Sequence, residues 1–330
     1  MKIEKREKIK MSENRLTILI DTFTGSALGA FVGDAMGREV EGWPWEMINA
    51  RYGILQRIGE GIYTDDTEMM IGIMESLREE PHFDPSLTAR RFLENFHPFR
   101  GYGARIYGVM ARLRQGVPWD QVGTDSWGNG GAMRIAPIGF FFYDDKSRLT
   151  EAALLCTQIT HKHPQGLAGA LAQAMAVGIA TEKRMEGKTI NGLDFLEEII
   201  QQVHGVDSRM ATELTRIKNK DLEGEIEDKV GWIACTFSRD VSAIGAVPPA
   251  IAAFLFNRNF HDTVVTAVNC GGDTDTIGAM AGAIAGAYYG FSSFPLEWLS
   301  CLENAEKGRD YVVSLGEDLA QIKARQKGWI

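Results

Sequence analysis

The chain has 330 residues, of which 45% are hydrophobic and 24% charged, and carries a formal net charge of −9 at pH 7. That length buries a core as one large domain or two ordinary ones. The acidic balance argues against a general nucleic-acid or membrane-surface binder, although an anionic ligand stays compatible where metal ions or helix N-termini supply positive potential.

The opening MKIEKREKIK is charged, and no apolar signal-peptide core follows it. Residues 1–15 are therefore expected to form a charged, mobile extension, with Met1 or Met11 as the start, ahead of one domain over 16–330. In GSALGAFVGDAMG, Gly25, Gly29, Gly33 and Gly37 recur every four residues. Residues four apart share one helix face, so the spacing predicts a bare ridge that another backbone can approach. The next stretch, VGDAMGREVEGW, brings Asp34, Glu39 and Glu41.

YTDDT follows, and opens the helical pattern TEMMIGIMESLREE. SLTARRFLENF, ARIYGVMARLRQG, RLTEAALLCTQIT and HPQGLAGALAQAMAVGIATEK continue the helical spacing, whereas alternating β-branched runs are nearly absent. Between them lie RGYG around Tyr102, the glycine-rich SWGNGGAMR from Ser126 to Arg134, and THKH with His161 and His163. The charged run from Asp207 to Lys229 reads as a flexible surface region or insertion. PPAIAAFLFNRNFHDTVVTAVN gives two helices broken near 257–260, and GGDTDTIGAMAGAIAGAYYG closes the series with Gly278, Gly282, Gly286 and Gly290 again four apart. The predicted class is all-α, a single compact domain of many helices, with the two glycine ridges central and packed against neighbours or each other. Cys156, Cys235, Cys270 and Cys301 have no zinc-like spacing and read as reduced core thiols, which places the protein in the cytoplasm.

The two acidic turns carry the chemistry. Asp and Thr are favoured N-caps, but capping explains one such residue per helix and not Asp65, Asp66, Asp273 and Asp275 together. Carboxylates brought close raise one another's pKa unless cations compensate. Asp with Thr suits a hard divalent ion such as Mg²⁺, Mn²⁺ or Ca²⁺, and no His or Cys accompanies them to suggest zinc. Two such ions, if both bind, would lie about 3.5–4 Å apart. A carboxylate near Glu41 could act as general base, and the glycine-rich loop offers amides to a phosphate.

Read in order, GDAMG with a downstream Glu, YTDDT, RGYG, GNGGAMR, TH and GGDTDTIGAMAGAIAGAYYG resemble the ADP-ribosylglycohydrolase family over about Thr24 to Gly290. The resemblance implies one all-α domain of orthogonal helices and a centre of two divalent ions, Mg²⁺ first and Mn²⁺ second. It implies metal ligands at Thr64, Asp65, Asp66, Asp273, Asp275 and Thr276, with Glu41, Asp66 and Asp275 catalytic. It further implies ADP-ribose contacts from Gly101, Tyr102 and Gly103, from Ser126, Trp127 and Gly128, from Asn129, Gly130 and Gly131, and from His161 and Val241. The partners would be ADP-ribose and ADP-ribosylated proteins or small molecules; no general nucleic-acid binding and no membrane are expected, and the protein is expected to be a monomer. RGYG, GNGGAMR and the C-terminal run most resemble members that cleave O-linked adducts of serine, poly(ADP-ribose) or O-acetyl-ADP-ribose. The alternatives are an ADP-ribosyl-arginine hydrolase, whose acidic guanidinium contact is not located here, a toxin-immunity role, and a non-catalytic ADP-ribose-binding scaffold.

Overall fold

A computed structural model describes residues 2–218, 220 and 223–330, with side chains from Ser12 onward. The expected mobile extension over residues 1–15 falls mostly on side chains outside that set. Two long helices run antiparallel through the middle of the fold, Lys2–Gly37 and Thr274–Tyr289, and each makes its most extensive contact with the other. Their glycine ridges face each other. A Cβ added at Gly29 would lie 2.1 Å from the Gly282 carbonyl oxygen, one at Gly33 2.0 Å from that of Gly278, and one at Gly25 2.5 Å from that of Gly286. The fourth step of the ladder sets Gly37 against Thr274, whereas Gly290 caps the late helix beside Asp21 and Arg184. Each interior glycine gives up about 1 kcal/mol of helix propensity relative to alanine. The close approach compensates by letting the two backbones pack directly.

Side-chain straps reinforce the pair. Ser26 Oγ donates to the Ala283 carbonyl at 2.9 Å and Thr274 Oγ1 to that of Gly37 at 2.8 Å. The N-terminal helix is long and apolar enough to span a membrane, yet every residue from Thr22 to Gly37 is buried within the protein. Around the pair pack Pro164–Glu186, Ala243–Leu255 and Phe260–Asn269 on the late helix, and Arg309–Gln326 on the early one. The described residues form helices and no strand, apart from isolated bridges between loops.

The helical segments expected from periodicity form, with two differences in extent and character. The helix expected from Pro248 begins five residues earlier, at Ala243, because Ser242 Oγ accepts from the Gly245 amide at 3.0 Å and nucleates it. The run expected to be flexible is ordered over Ser208–Thr215: Asp207 caps that helix, and Met210 and Leu214 are buried beneath its charged face. All four cysteines are free, but only Cys156 and Cys270 are buried; Cys235 and Cys301 are exposed.

The glycine ladder makes a direct prediction. Gly33→Val is expected to destabilise the protein by about 3 kcal/mol or more, since neither backbone can retreat. Gly231→Ala, in helix Ile226–Thr236 where a Cβ meets nothing within 4 Å, is expected to stabilise it by about 0.5–1 kcal/mol. Urea unfolding followed by circular dichroism checks both, and equal effects would contradict direct backbone packing.

Candidate active site

The antiparallel arrangement brings the end of the early helix to the start of the late one. Asp34, fully buried one turn before Gly37, accepts hydrogen bonds from the Thr64 amide at 3.0 Å, the Thr67 amide at 3.1 Å and Thr67 Oγ1 at 2.6 Å. These amides open helix Asp65–Glu79 and would otherwise lack acceptors. Burial pushes Asp34 up to about 6, against the pull of those donors. Asp34 therefore docks the N-terminus of the first acidic helix onto the glycine pair. The sequence showed this residue but not its partner thirty positions later.

The second acidic turn depends on Gly271 and Gly272, which hold φ of +76° and +85°. A Cβ at Gly272 would lie 2.0 Å from the Arg239 carbonyl oxygen. The Gly272 amide donates to Trp43 O and its carbonyl accepts from Gly42 N, both at 2.8 Å, so the loop bearing Glu41 is tied to the turn bearing Asp273. Glu41, Asp273 and Asp275 each place a carboxylate oxygen within 4.8 Å of the others. Glu39, by contrast, accepts the Glu60 amide at 3.1 Å and ties its loop to the segment before helix Asp65–Glu79.

A cleft of about 410 Å³ opens over these groups. Its acidic wall holds Glu41, Thr64, Asp65, Asp66, Asp273, Asp275 and Thr276. Its other walls hold Gly101 and Gly103, Ser126 to Gly130, His161 and Val241. Two predicted contacts, Tyr102 and Gly131, do not line it. Tyr102 turns inward and donates to Glu68 Oε2 at 2.6 Å, and Gly131 packs against the Thr157 side chain. Glu68 also accepts the His97 amide at 3.0 Å, while Arg100 donates to the Tyr63 carbonyl at 2.8 Å, so the Gly101–Gly103 loop is anchored from below.

The glycine-rich loop is stitched on both sides. Asn129 N donates to Val241 O at 3.0 Å and Ala243 N to Trp127 O at 3.1 Å; Thr124 N donates to Thr160 O at 3.0 Å and Lys162 N back to Thr124 O at 2.8 Å, on either side of His161. Asn129 Nδ2 donates to Asp273 Oδ2 at 2.5 Å, joining the loop to the acidic wall. Trp127 and Val241 stay exposed at the cleft edge, at 44% and 59%. His161 is buried in the wall, whereas His163 caps helix Pro164–Glu186 through Nδ1. Arg105 and Arg134 also line the cleft. Sequence reasoning assigned them no role, because a lone arginine on an amphipathic helix or beside a glycine loop carries no distinguishing pattern.

Electrostatically the acidic wall is under strain. Burial, then the charge of Asp275, holds Asp66 well above the usual carboxylate range; burial, then Asp273, does the same to Asp275. Burial raises Asp273 as well, and burial with the charge of Asp273 raises Glu41. Asp66 Oδ2 is buried with no hydrogen-bond partner. An orphaned carboxylate oxygen beside converging like charges fits a hard divalent cation, which takes oxygen ligands and favours the ionised forms.

Asp65 is pushed up to about 8 by burial and by the charges of Asp34, Asp273 and Glu41, against 3.8 in the unfolded chain. It binds its proton more tightly when folded, so the cation-free protein loses stability as pH rises from about 4 through about 8. A bound divalent cation removes that penalty. Mg²⁺ is therefore expected to raise the melting temperature more at about pH 8 than at about pH 5.5. Thermal melts with Mg²⁺ or EDTA at the two pH values check this, and an equal shift at both would contradict it.

The family model described as ADP-ribosylglycohydrolase matches residues 15–328. The chain is 32% identical to an uncharacterised protein of Archaeoglobus fulgidus, over 92% of this chain and 98% of that one. It is 30% identical to ADP-ribosylhydrolase ARH3 of Gallus gallus (89% and 92% covered) and 30% to that of Homo sapiens (87% and 91%). A solved structure titled ADP-ribosylglycohydrolase-related protein complex superposes with a TM-score of 0.70 at 26% identity, covering 93% of this chain and 99% of that one. The chain belongs to the ADP-ribosylglycohydrolase family, hydrolases that act on glycosyl bonds.

Proposed function

We propose that the protein removes ADP-ribose from modified acceptors by metal-dependent hydrolysis of the C1″ glycosidic bond, with O-linked adducts as substrates. The observation that carries this reading is the single cleft in which an uncompensated acidic wall faces a glycine-rich loop. Thr64, Asp65, Asp66, Asp273, Asp275 and Thr276 would hold two divalent ions, Mg²⁺ or Mn²⁺. When bound, such ions supply positive charge that orients ribose hydroxyls and lowers the pKa of water.

The chain's own groups account for the remaining requirements. In the short Asn129–Gly131 turn the Asn129 amide is taken by Val241 O, and that of Gly130, which has no intrahelical acceptor, suits the diphosphate, which explains anion binding by an acidic protein. Trp127 gives the adenine an exposed aromatic face beside Val241. Cleavage develops positive oxocarbenium character at C1″, which ionised carboxylates of the acidic wall stabilise. Glu41, the most exposed of those carboxylates and raised in pKa, is suited to moving a proton between water and the leaving group.

The preference for an oxygen-linked acceptor rests on the RGYG, GNGGAMR and C-terminal motifs and on one feature of the cleft. Its lining acids are all members of the acidic wall, and Arg105 lines it too. A guanidinium acceptor would find no spare carboxylate there and would meet a like charge.

Purified protein incubated with peptides bearing ADP-ribosyl-serine or ADP-ribosyl-arginine, with Mg²⁺ or EDTA, tests the proposal. Release from the serine peptide in Mg²⁺ alone is expected. Asp66→Asn and Asp275→Asn are expected to lower turnover more than about a hundredfold. Faster release from the arginine peptide would reverse the linkage, undiminished activity in EDTA would exclude the metal mechanism, and release from neither would leave an ADP-ribose-binding scaffold.

A further inference from the structure

We propose that Arg134 and Thr160 are positioning residues that fix His161 as the Nε2–H tautomer, so that this part of the cleft always presents a hydrogen-bond donor. The inference deepens the ADP-ribose reading, on which the identity of the acceptor rests, but the tautomer follows from the protein alone.

Arg134 is fully buried, and among the described residues it has no carboxylate partner. Its Nη1 donates toward Met69 Sδ at 3.3 Å, its Nε lacks a partner, and the guanidinium stands over the Phe92 ring at 4.7 Å. Its Nη2 reaches the Cys156 carbonyl at 3.3 Å and Thr160 Oγ1 at 2.6 Å. A buried cation without a counter-ion is costly to hold, which gives weight to the one short polar contact that it makes.

Proton accounting fixes the rest. A guanidinium can only donate, so Thr160 Oγ1 accepts from Arg134. The same hydroxyl lies 2.7 Å from His161 Nδ1. Were Nδ1 also a donor, the hydroxyl would receive two protons and its own hydrogen would be buried without an acceptor. If Thr160 instead donates to Nδ1, the hydroxyl accepts one proton and places its own. Nδ1 is then the acceptor, and a neutral imidazole carries its hydrogen on Nε2. Burial and the positive charges of Arg134 and Arg105 hold His161 neutral, pushing it down to about 3.

Nε2 faces the glycine loop. A Cβ added at Gly130 would sit 3.1 Å from it and one at Gly128 3.5 Å, and no protein acceptor meets it among the described residues. The side chain is only 6% exposed and lines the cleft. The Nε2–H is thus aimed into the space over Gly128 and Gly130, where it requires an oxygen acceptor, here a phosphate or ribose oxygen of ADP-ribose. A side-chain amine or guanidinium, which only donates when charged, would leave it unpaired.

Nitrogen-15 NMR of the histidine rings, with His161 assigned by difference against His161→Gln, tests the tautomer in the unliganded protein. The expected spectrum is neutral Nε2–H at pH 7 and still neutral at about pH 5. Thr160→Val is expected to give mixed tautomers and to weaken ADP-ribose binding about tenfold by calorimetry, while Thr160→Ser restores both to within about twofold. An Nδ1–H tautomer or an imidazolium in the wild-type protein at pH 7 overturns the proposal without any variant. So does a folded Thr160→Val protein that keeps both spectrum and affinity. Failure of the wild-type protein to bind ADP-ribose would instead overturn the functional reading, with the tautomer still decided by the spectrum.

Discussion

The structure depends on the contact of two backbones. Glycines at every fourth position let Lys2–Gly37 and Thr274–Tyr289 meet without side chains between them. Because the helices run antiparallel, the end of one lies beside the start of the other, and two acidic turns about two hundred residues apart become neighbours. Asp34 then converts this packing into a site, since it accepts the free amides that begin helix Asp65–Glu79. Helix packing, capping and the acidic wall are successive consequences of the same close approach. Two helix N-termini also point at the wall, and their positive dipole ends offset part of the repulsion among its carboxylates.

The ligand-side walls are built differently. They are loops, each held by a few long-range bonds: Gly101–Gly103 through Glu68 and Arg100, and the glycine-rich loop through Val241, Trp127 and Asn129. Cleft polarity is divided accordingly. The aspartates sit on helix starts, whereas Glu41, the amides, Trp127 and His161 sit on loops.

Much of this organisation was legible in the sequence because it is local. Four-residue glycine spacing, helical periodicity and two Asp-Thr turns each announce themselves within a short window. What the sequence did not show is who meets whom. Asp34 has no assigned partner until Thr64 and Thr67 are placed on it. Tyr102 reads as a ligand aromatic until Glu68 takes its hydroxyl. Arg134 lies within a recognisable motif, yet its pairing with Thr160 and, through it, His161 depends on a fold-wide juxtaposition. The run after Asp207 misled for another reason: its apolar stripe, Met210 and Leu214, is one turn long and surrounded by charge.

The glycine ladder also works as a ratchet. Its teeth are four residues apart, so the helices can trade one register for the next only by sliding about 6 Å. Smaller slides drive a carbonyl into the Cβ of a residue between the glycines. A displacement of 6 Å would tear Asp275 away from the groups gathered around it, so the acidic wall has a single usable setting. Any opening or closing of the cleft is thereby assigned to the loops. The acidic half is a fixed die, and the loop half is the part whose geometry the ladder leaves open.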